Sequence, residues 1–210
     1  MPADDDAELF AVVDPDTGAP TGALLPRSVA HASGAWHRTV HVCVWAPDGR
    51  LLLQRRAAAK AVCPGAWDVS AAEHVRPGEA CQAAAVRGLE EELGLVLAAA
   101  AQAPPPGSGG GGGGEHTASA PPPAVLTGPS PPGHRRSVYD VPPVLDREVV
   151  ETWHVRGWAP DAPLKPDPAE VAEVRWVGLD ALRAEVEADG GAGGRFTPWC
   201  LEQGRWQGWW

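Results

Sequence analysis

Eighteen of the 34 residues from Ala101 to His134 are glycine or proline, including the run Gly109 to Gly114 and the triplets Pro104 to Pro106 and Pro121 to Pro123. A stretch so poor in large apolar side chains cannot bury enough surface to repay its ordering entropy. It predicts a disordered insert over 98–135, so whatever folds must be assembled from the sequence on either side of it. Setting aside this insert and an acidic tail at 1–7, about 170 residues remain, which suits one domain. That domain is expected over 8–200, interrupted by the insert and followed by a Trp-rich tail at 201–210.

Charge and sorting signals narrow the class. The net charge is -10, and beyond Arg55, Arg56 and Lys60 there is no cluster of cations. This argues against nucleic-acid binding, since phosphate backbones are held by grouped Lys and Arg. No run approaches the ~18 apolar residues of a membrane span, and Met1 to Asp6 is acidic where presequences are basic or acid-poor. The expectation is a soluble cytoplasmic protein without membrane contact. Cys43, Cys63, Cys81 and Cys200 stand far apart, which reads as four free thiols.

Local patterns predict the elements. Leu9 to Val13 and Thr21 to Leu25 read as short strands around an Asp/Pro/Gly turn. Thr39 to Arg56 reads as a hairpin turning at Ala46-Pro-Asp-Gly49, and Trp67 to Ala71 as another strand. A helix from about Ala80 to Leu93 places Val86, Leu89 and Leu93 on one face and stops at Gly94. Beyond the insert, Glu148 to Trp158 and Glu170 to Val177 read as strands, with helices at Leu179 to Ala188 and Phe196 to Glu202. Such interleaving implies an α/β protein with a mixed sheet covered by helices.

On the helix after Pro77, positions 88, 91 and 92 share a face and could present carboxylates to a hard divalent cation. The segment GEACQAAAVRGLEEELGL, from Gly78, resembles the signature of the Nudix hydrolase family. Glu79, Arg87, Leu89, Glu91, Glu92, Gly94 and Leu95 fall on pattern positions. Two positions depart: Glu73 stands where the pattern's first Gly belongs, and Gly88 stands where a Glu follows the Arg. The resemblance implies a Nudix-type α/β/α sandwich and Mg2+ or Mn2+ on Glu91 and Glu92. It also implies that Glu79 and Arg87 pair to fix the preceding loop onto the helix.

Further segments, among them Leu51-Leu-Leu-Gln-Arg-Arg56, Pro64-Gly65-Ala-Trp-Asp68 and Ser70-Ala-Ala-Glu-His74, resemble the Nudix branch related to isopentenyl diphosphate isomerase. By that resemblance Arg56 and Lys60 hold a substrate diphosphate, and Arg38 is grouped with them. His31, His37 and His74 with Asp146 and Glu148 match a second divalent-metal site suited to zinc or a transition ion. The isomerases carry a cysteine two residues before the ligand histidine, and here that position is Ala72. The expected function is therefore Mg2+-dependent hydrolysis of a small organic diphosphate. Two alternatives stand beside it: isopentenyl diphosphate isomerisation, and a non-catalytic diphosphate-binding module suggested by the two signature departures. Ten tryptophans read mainly as core, with Trp36 or Trp67 as candidates for a wall beside the substrate.

Overall fold

Strand β3 (His37–Trp45) is β-branched and apolar along most of its length and is buried at every position but Arg38. A strand of that kind must lie inside a sheet covered on both faces. The computed structural model, which describes residues 7–97, 124–130, 133–190 and 194–210, shows this arrangement. In chain order the elements are β1 (Leu9–Val13), β2 (Pro20–Pro26), α1 (Arg27–Ser33), β3, β4 (Leu51–Arg56), β5 (Trp67–Asp68), β6 (Ala71–His74), α2 (Cys81–Leu93), β7 (Val125–Thr127), β8 (Arg135–Val141), β9 (Val144–Arg156), β10 (Val171–Val177), α3 (Leu179–Ala188) and α4 (Pro198–Trp206). The main sheet runs β10-β4-β3-β9-β7, with β5 on β4, β6 on β3 and β8 on β9, while β1 and β2 pair apart from it. Among the described strands β3 and β9 pair in parallel and the other strand pairs are antiparallel.

Alternation along β3 sorts the core into two layers. Val40, Val42 and Val44 face α2, packing with Ala84, Ala85, Leu89 and Leu93. Cys43 and Trp45 face the other way, against Leu182 and Val186 of α3 and Cys200 and Leu201 of α4. Each fully buried leucine contributes roughly 1.5–3 kcal/mol relative to leaving it exposed. The expected α/β sandwich with a mixed sheet is what forms.

The expected Thr39–Arg56 hairpin pairs only at its closing end, Trp45 with Leu51. Beyond that point Ser70 wedges between the strands: its hydroxyl accepts from the Val44 amide (2.8 Å) and donates to the Leu52 carbonyl (2.6 Å). The backbone groups thus find a side chain in place of each other. The same wedge breaks the expected strand Trp67–Ala71 into β5 and β6, and lets β6 pair with β3 at Thr39↔His74 through Val42↔Ala71.

Three other features differ from expectation. Arg27–Ser33, between the expected strand Thr21–Leu25 and the expected hairpin, is a helix closed by Gly34 in the left-handed conformation (φ 67°). Part of the insert expected over 98–135 is built into the sheet. Residues 98–123 lie outside the described residues, but Val125–Thr127 pair with β9 and Leu126 is buried in the core. Nor do residues 201–210 form a separate tail, since α4 runs to Trp206 and Trp209 is buried against Trp45 in an edge-to-face contact. No helix among the described residues is long and apolar enough to cross a membrane.

Candidate functional site

Period-two alternation delivers donors from three adjacent strands to one face of the sheet. Thr39 and His41 of β3, Ala72 and His74 of β6, and Asp146 and Glu148 of β9 all line one cavity of about 400 Å³. Register fixes the neighbours: Thr39 lies beside His74, and His37 beside Glu148. Helix α1 adds His31. The structure therefore brings together all five residues expected at a second metal site. Donor atoms of His31, His37 and His74 lie within 4.8 Å of one another, as do those of His37, Asp146 and Glu148.

These side chains are held in position. His37 Nδ1 donates to the Ala35 carbonyl (3.0 Å), so Nε2 keeps its lone pair for the cluster. Thr39 donates to Glu148 Oε1 (2.7 Å). Phe10, itself buried, stacks on the His37 ring (centroids 4.4 Å) and tilts against His74 (4.5 Å). His37 Nε2 and Asp146 Oδ1 are both buried without a hydrogen-bond partner and lie 3.4 Å apart. Orphaned buried polar atoms are costly, and a cation between them would satisfy both. Three imidazoles with two carboxylates fit a divalent transition ion or zinc.

Electrostatics of the metal-free protein agree with that fit. Burial lowers His37 to about 3 and pushes His74 well below the usual histidine range. Burial likewise raises Asp146 to about 6, and raises Glu148 well above the ordinary carboxylate range, with Asp146 adding repulsion. His37 and His74 are thus neutral ligands, while Glu148 retains a proton that a cation would displace.

Helix α2 forms another wall. Arg87 is its organiser. It donates through Nε and Nη2 to both Glu79 oxygens (3.0 and 2.9 Å), through Nη2 to the His74 carbonyl (2.7 Å), and through Nη1 pairs with Glu73 (2.9 Å) and Glu91 (3.3 Å). One guanidinium thereby joins the loop before α2, the helix itself and strand β6. Gly94 ends the helix in the left-handed conformation (φ 59°). Any Cβ there would meet the Lys165 carbonyl at 2.7 Å, so glycine is required twice over. Glu92 is buried, accepting from Gln54 Nε2 (2.5 Å) and the Ala72 amide (3.1 Å), and burial raises it to about 8. Glu91 lies at the rim with its side chain half exposed. Both line the cavity, yet neither belongs to any of the three-donor groups found among the described residues.

The expected cations divide. Arg56 and Lys60 line the cavity, each already paired: Arg56 with buried Asp68 (3.3 Å), Lys60 with Glu170. Arg38 is corrected. It points to the opposite face of β3, where it donates to Cys81 Sγ (2.7 Å) and Glu151 (3.4 Å), and it does not line the cavity. A one-residue step along a strand reverses the face. The aromatic wall is Trp199, not Trp36 or Trp67. Its ring sits under the Arg56 guanidinium (5.3 Å) and its Nε1 donates to Asp68 (2.8 Å). Glu8, Arg27, His41, Asp68 and Trp199 were given no site role from sequence, although Asp68 closes a segment that carries the resemblance and Trp199 stands beside the Thr197 cap and Pro198.

Eight carboxyl groups line the cavity against five Arg and Lys side chains. Divalent cations bound there would add the positive charge that a diphosphate needs. All four cysteines are free thiols, as expected, and none lines the cavity.

Comparisons with known proteins accord with this architecture. The NUDIX domain family model matches residues 35–200. A protein named isopentenyl-diphosphate Delta-isomerase from Cereibacter sphaeroides is 37% identical over 180 residues, covering 85% of this chain and 83% of that protein. One of the same name from Nocardia farcinica is 32% identical over 189 residues, covering 89% and 87%. A solved structure from Deinococcus radiodurans superposes with a TM-score of 0.57 at 19% identity, covering 86% of this chain and 90% of that one. The matched domain, the relatives and the shared fold together show that the chain belongs to the Nudix family, in the branch that resembles isopentenyl diphosphate isomerase.

Proposed function

We propose that this protein is a divalent-cation-dependent hydrolase of a small organic diphosphate. The observation that carries the reading is the cavity itself, which gathers Glu91, Glu92, Arg56 and Lys60 around a methyl group, Ala72, two residues before His74 on the same face of β6. Glu91 and Glu92 would hold Mg2+ or Mn2+, which would supply Lewis acidity to the diphosphate. Arg56 and Lys60 bind the terminal phosphate, Lys60 giving up Glu170 to do so, and neutralise charge that builds as the bridge opens. Trp199 and Asp68 hold the Arg56 guanidinium in place. Water adds to one phosphorus, the bridging P–O bond breaks, and the water proton leaves with the phosphate products.

A second reading, isopentenyl diphosphate isomerisation, is favoured by the complete histidine–carboxylate cluster and by the names of the relatives. Against it stands Ala72, which offers no proton to carbon. One panel separates the two. The purified protein is incubated with nucleoside diphosphate conjugates, prenyl diphosphates, coenzyme A or thiamine diphosphate, each with Mg2+ or Mn2+, and scored for phosphate release and for isomerisation. Hydrolysis of at least one substrate, lost in Glu92→Gln, supports the proposal. Isomerisation by the unmodified chain without any phosphate release replaces it with the second reading.

A further inference from the structure

The two departures from the signature meet in space. Alternation along β6 puts Ala71 and Glu73 on the side facing α2, opposite Ala72 and His74. A Cβ built on Gly88 would lie 2.8 Å from the Glu73 Cβ, 3.3 Å from its Cγ and 3.7 Å from Glu92 Oε1. Real Cβ atoms do not approach that closely, and the Glu73 Cβ, fixed to a strand in the main sheet, cannot swing away. The strand–helix gap therefore admits a side chain from position 73 or from position 88, but not from both. In this chain the glutamate sits on the strand and the glycine on the helix.

Where the Glu73 side chain goes gives the exchange its meaning. Its carboxylate is mostly buried, pairs with Arg87 Nη1 (2.9 Å), lines the cavity, and lies within 4.8 Å of donor atoms of Glu8 and His74. It thus runs from the point where a residue-88 side chain would begin, beside Glu92, toward the histidine cluster. We infer that Glu73 supplies from β6 the cation-facing carboxylate that α2 lacks at Gly88. Positions 73 and 88 would then form one interchangeable unit in place of two separate losses. The inference rests on reading this cavity as a divalent-cation site for a diphosphate.

The test titrates Mn2+ alone, following free Mn2+ by electron paramagnetic resonance, with a thermal melt of each protein. Glu92→Gln identifies the Mn2+ equivalent that belongs to the α2 wall. Glu73→Gln, which keeps the shape and removes the charge, is expected to weaken that same equivalent about tenfold or more. Gly88→Glu alone is expected to lower the melting temperature with no gain in Mn2+ affinity, because the two side chains collide. Glu73→Gly combined with Gly88→Glu is expected to regain both the fold's stability and the lost equivalent. If Glu73→Gln melts lower yet keeps the equivalent that Glu92→Gln loses, Glu73 is only an Arg87 partner and the inference fails while the cation site stands. If Gly88→Glu alone raises affinity at wild-type stability, the exclusion argument fails. If Glu92→Gln loses no Mn2+ at all, the underlying reading of the site fails, and the inference with it.

Discussion

Replacing Arg87 by alanine tests whether one guanidinium holds the α2 wall together. In the folded protein its side chain is 14% exposed, and those of Glu73 and Glu79 are 15% and 16% exposed. Truncation strands two largely buried carboxylates and leaves the His74 carbonyl without its donor. Removing one partner of a buried pair costs about 3–5 kcal/mol. The residual exposure argues for the lower end, about 3 kcal/mol. For a chain of this size each kcal/mol moves the melting temperature by about 2–4 °C, so Arg87→Ala should melt roughly 6–12 °C lower, with a matching fall in the urea midpoint. Arg87→Lys should fall between, because an ammonium keeps the charge but cannot fork to Glu79 while reaching the His74 carbonyl. Added salt should not reproduce the loss, since pairs this shielded are poorly screened. A cost below about 1 kcal/mol, the scale of an exposed ion pair, would refute the claim that this network anchors strand, loop and helix.

Other perturbations follow from the same geometry. Stability of the metal-free protein should fall as pH rises through the Glu92 value near 8, because the unfolded chain has by then released a proton that the folded one keeps; it should also fall as pH drops from the ordinary histidine range toward the His37 value near 3. Urea midpoints in EDTA should therefore peak near mildly acidic pH, and saturating Mn2+ should flatten the alkaline limb; a metal-free protein that gains stability from pH 6 to 9 contradicts this. Arg56→Ala should raise KM for the hydrolysed diphosphate at least about tenfold, the worth of a hydrogen bond to a charged group, whereas Arg38→Ala should leave KM unchanged in steady-state assays. Trp209→Ala should cost about 3–5 kcal/mol in urea unfolding, since the ring is 4% exposed and the Trp209 carbonyl accepts from Arg183 (2.7 and 3.1 Å). A cost near zero would return residues 207–210 to the status of a tail.

What could be read from the sequence depended on whether the determining interaction was local. Helix α2 was legible because period and stop signal lie within fifteen residues, and α3 and β10 were found nearly to the residue for the same reason. The wedge at Ser70 was not legible, for it joins Val44 and Leu52 to a residue that no pattern links to them. Strand β8 was hidden by the Pro142-Pro143 turn and β7 by its Gly/Pro surroundings, although each is set by pairing with β9. At the site, family resemblance supplied the five metal donors, and alternation along three strands explains why they converge. The same alternation moves Arg38 away from the cavity. The relation between Glu73 and Gly88 could not be read from spacing at all, because it depends on the distance between a strand and a helix fifteen residues apart in sequence.

The parallel pairing of β3 with β9 has a consequence for how the site comes into being. Glu148 follows His37 by 111 residues, yet the two are register partners, and eight further pairs up to Trp45↔Arg156 repeat that separation. Loop closure makes such a pairing slow to nucleate, while a doubling of the intervening length costs only about 0.6 kcal/mol in stability. The chain between them can therefore grow or shrink at little thermodynamic expense, and the burden falls on folding rate. The donors on β3 and β6 can assemble from nearby sequence, but Asp146 and Glu148 reach them only when this distant strand docks. A competent site therefore exists only once this long-range pairing has formed.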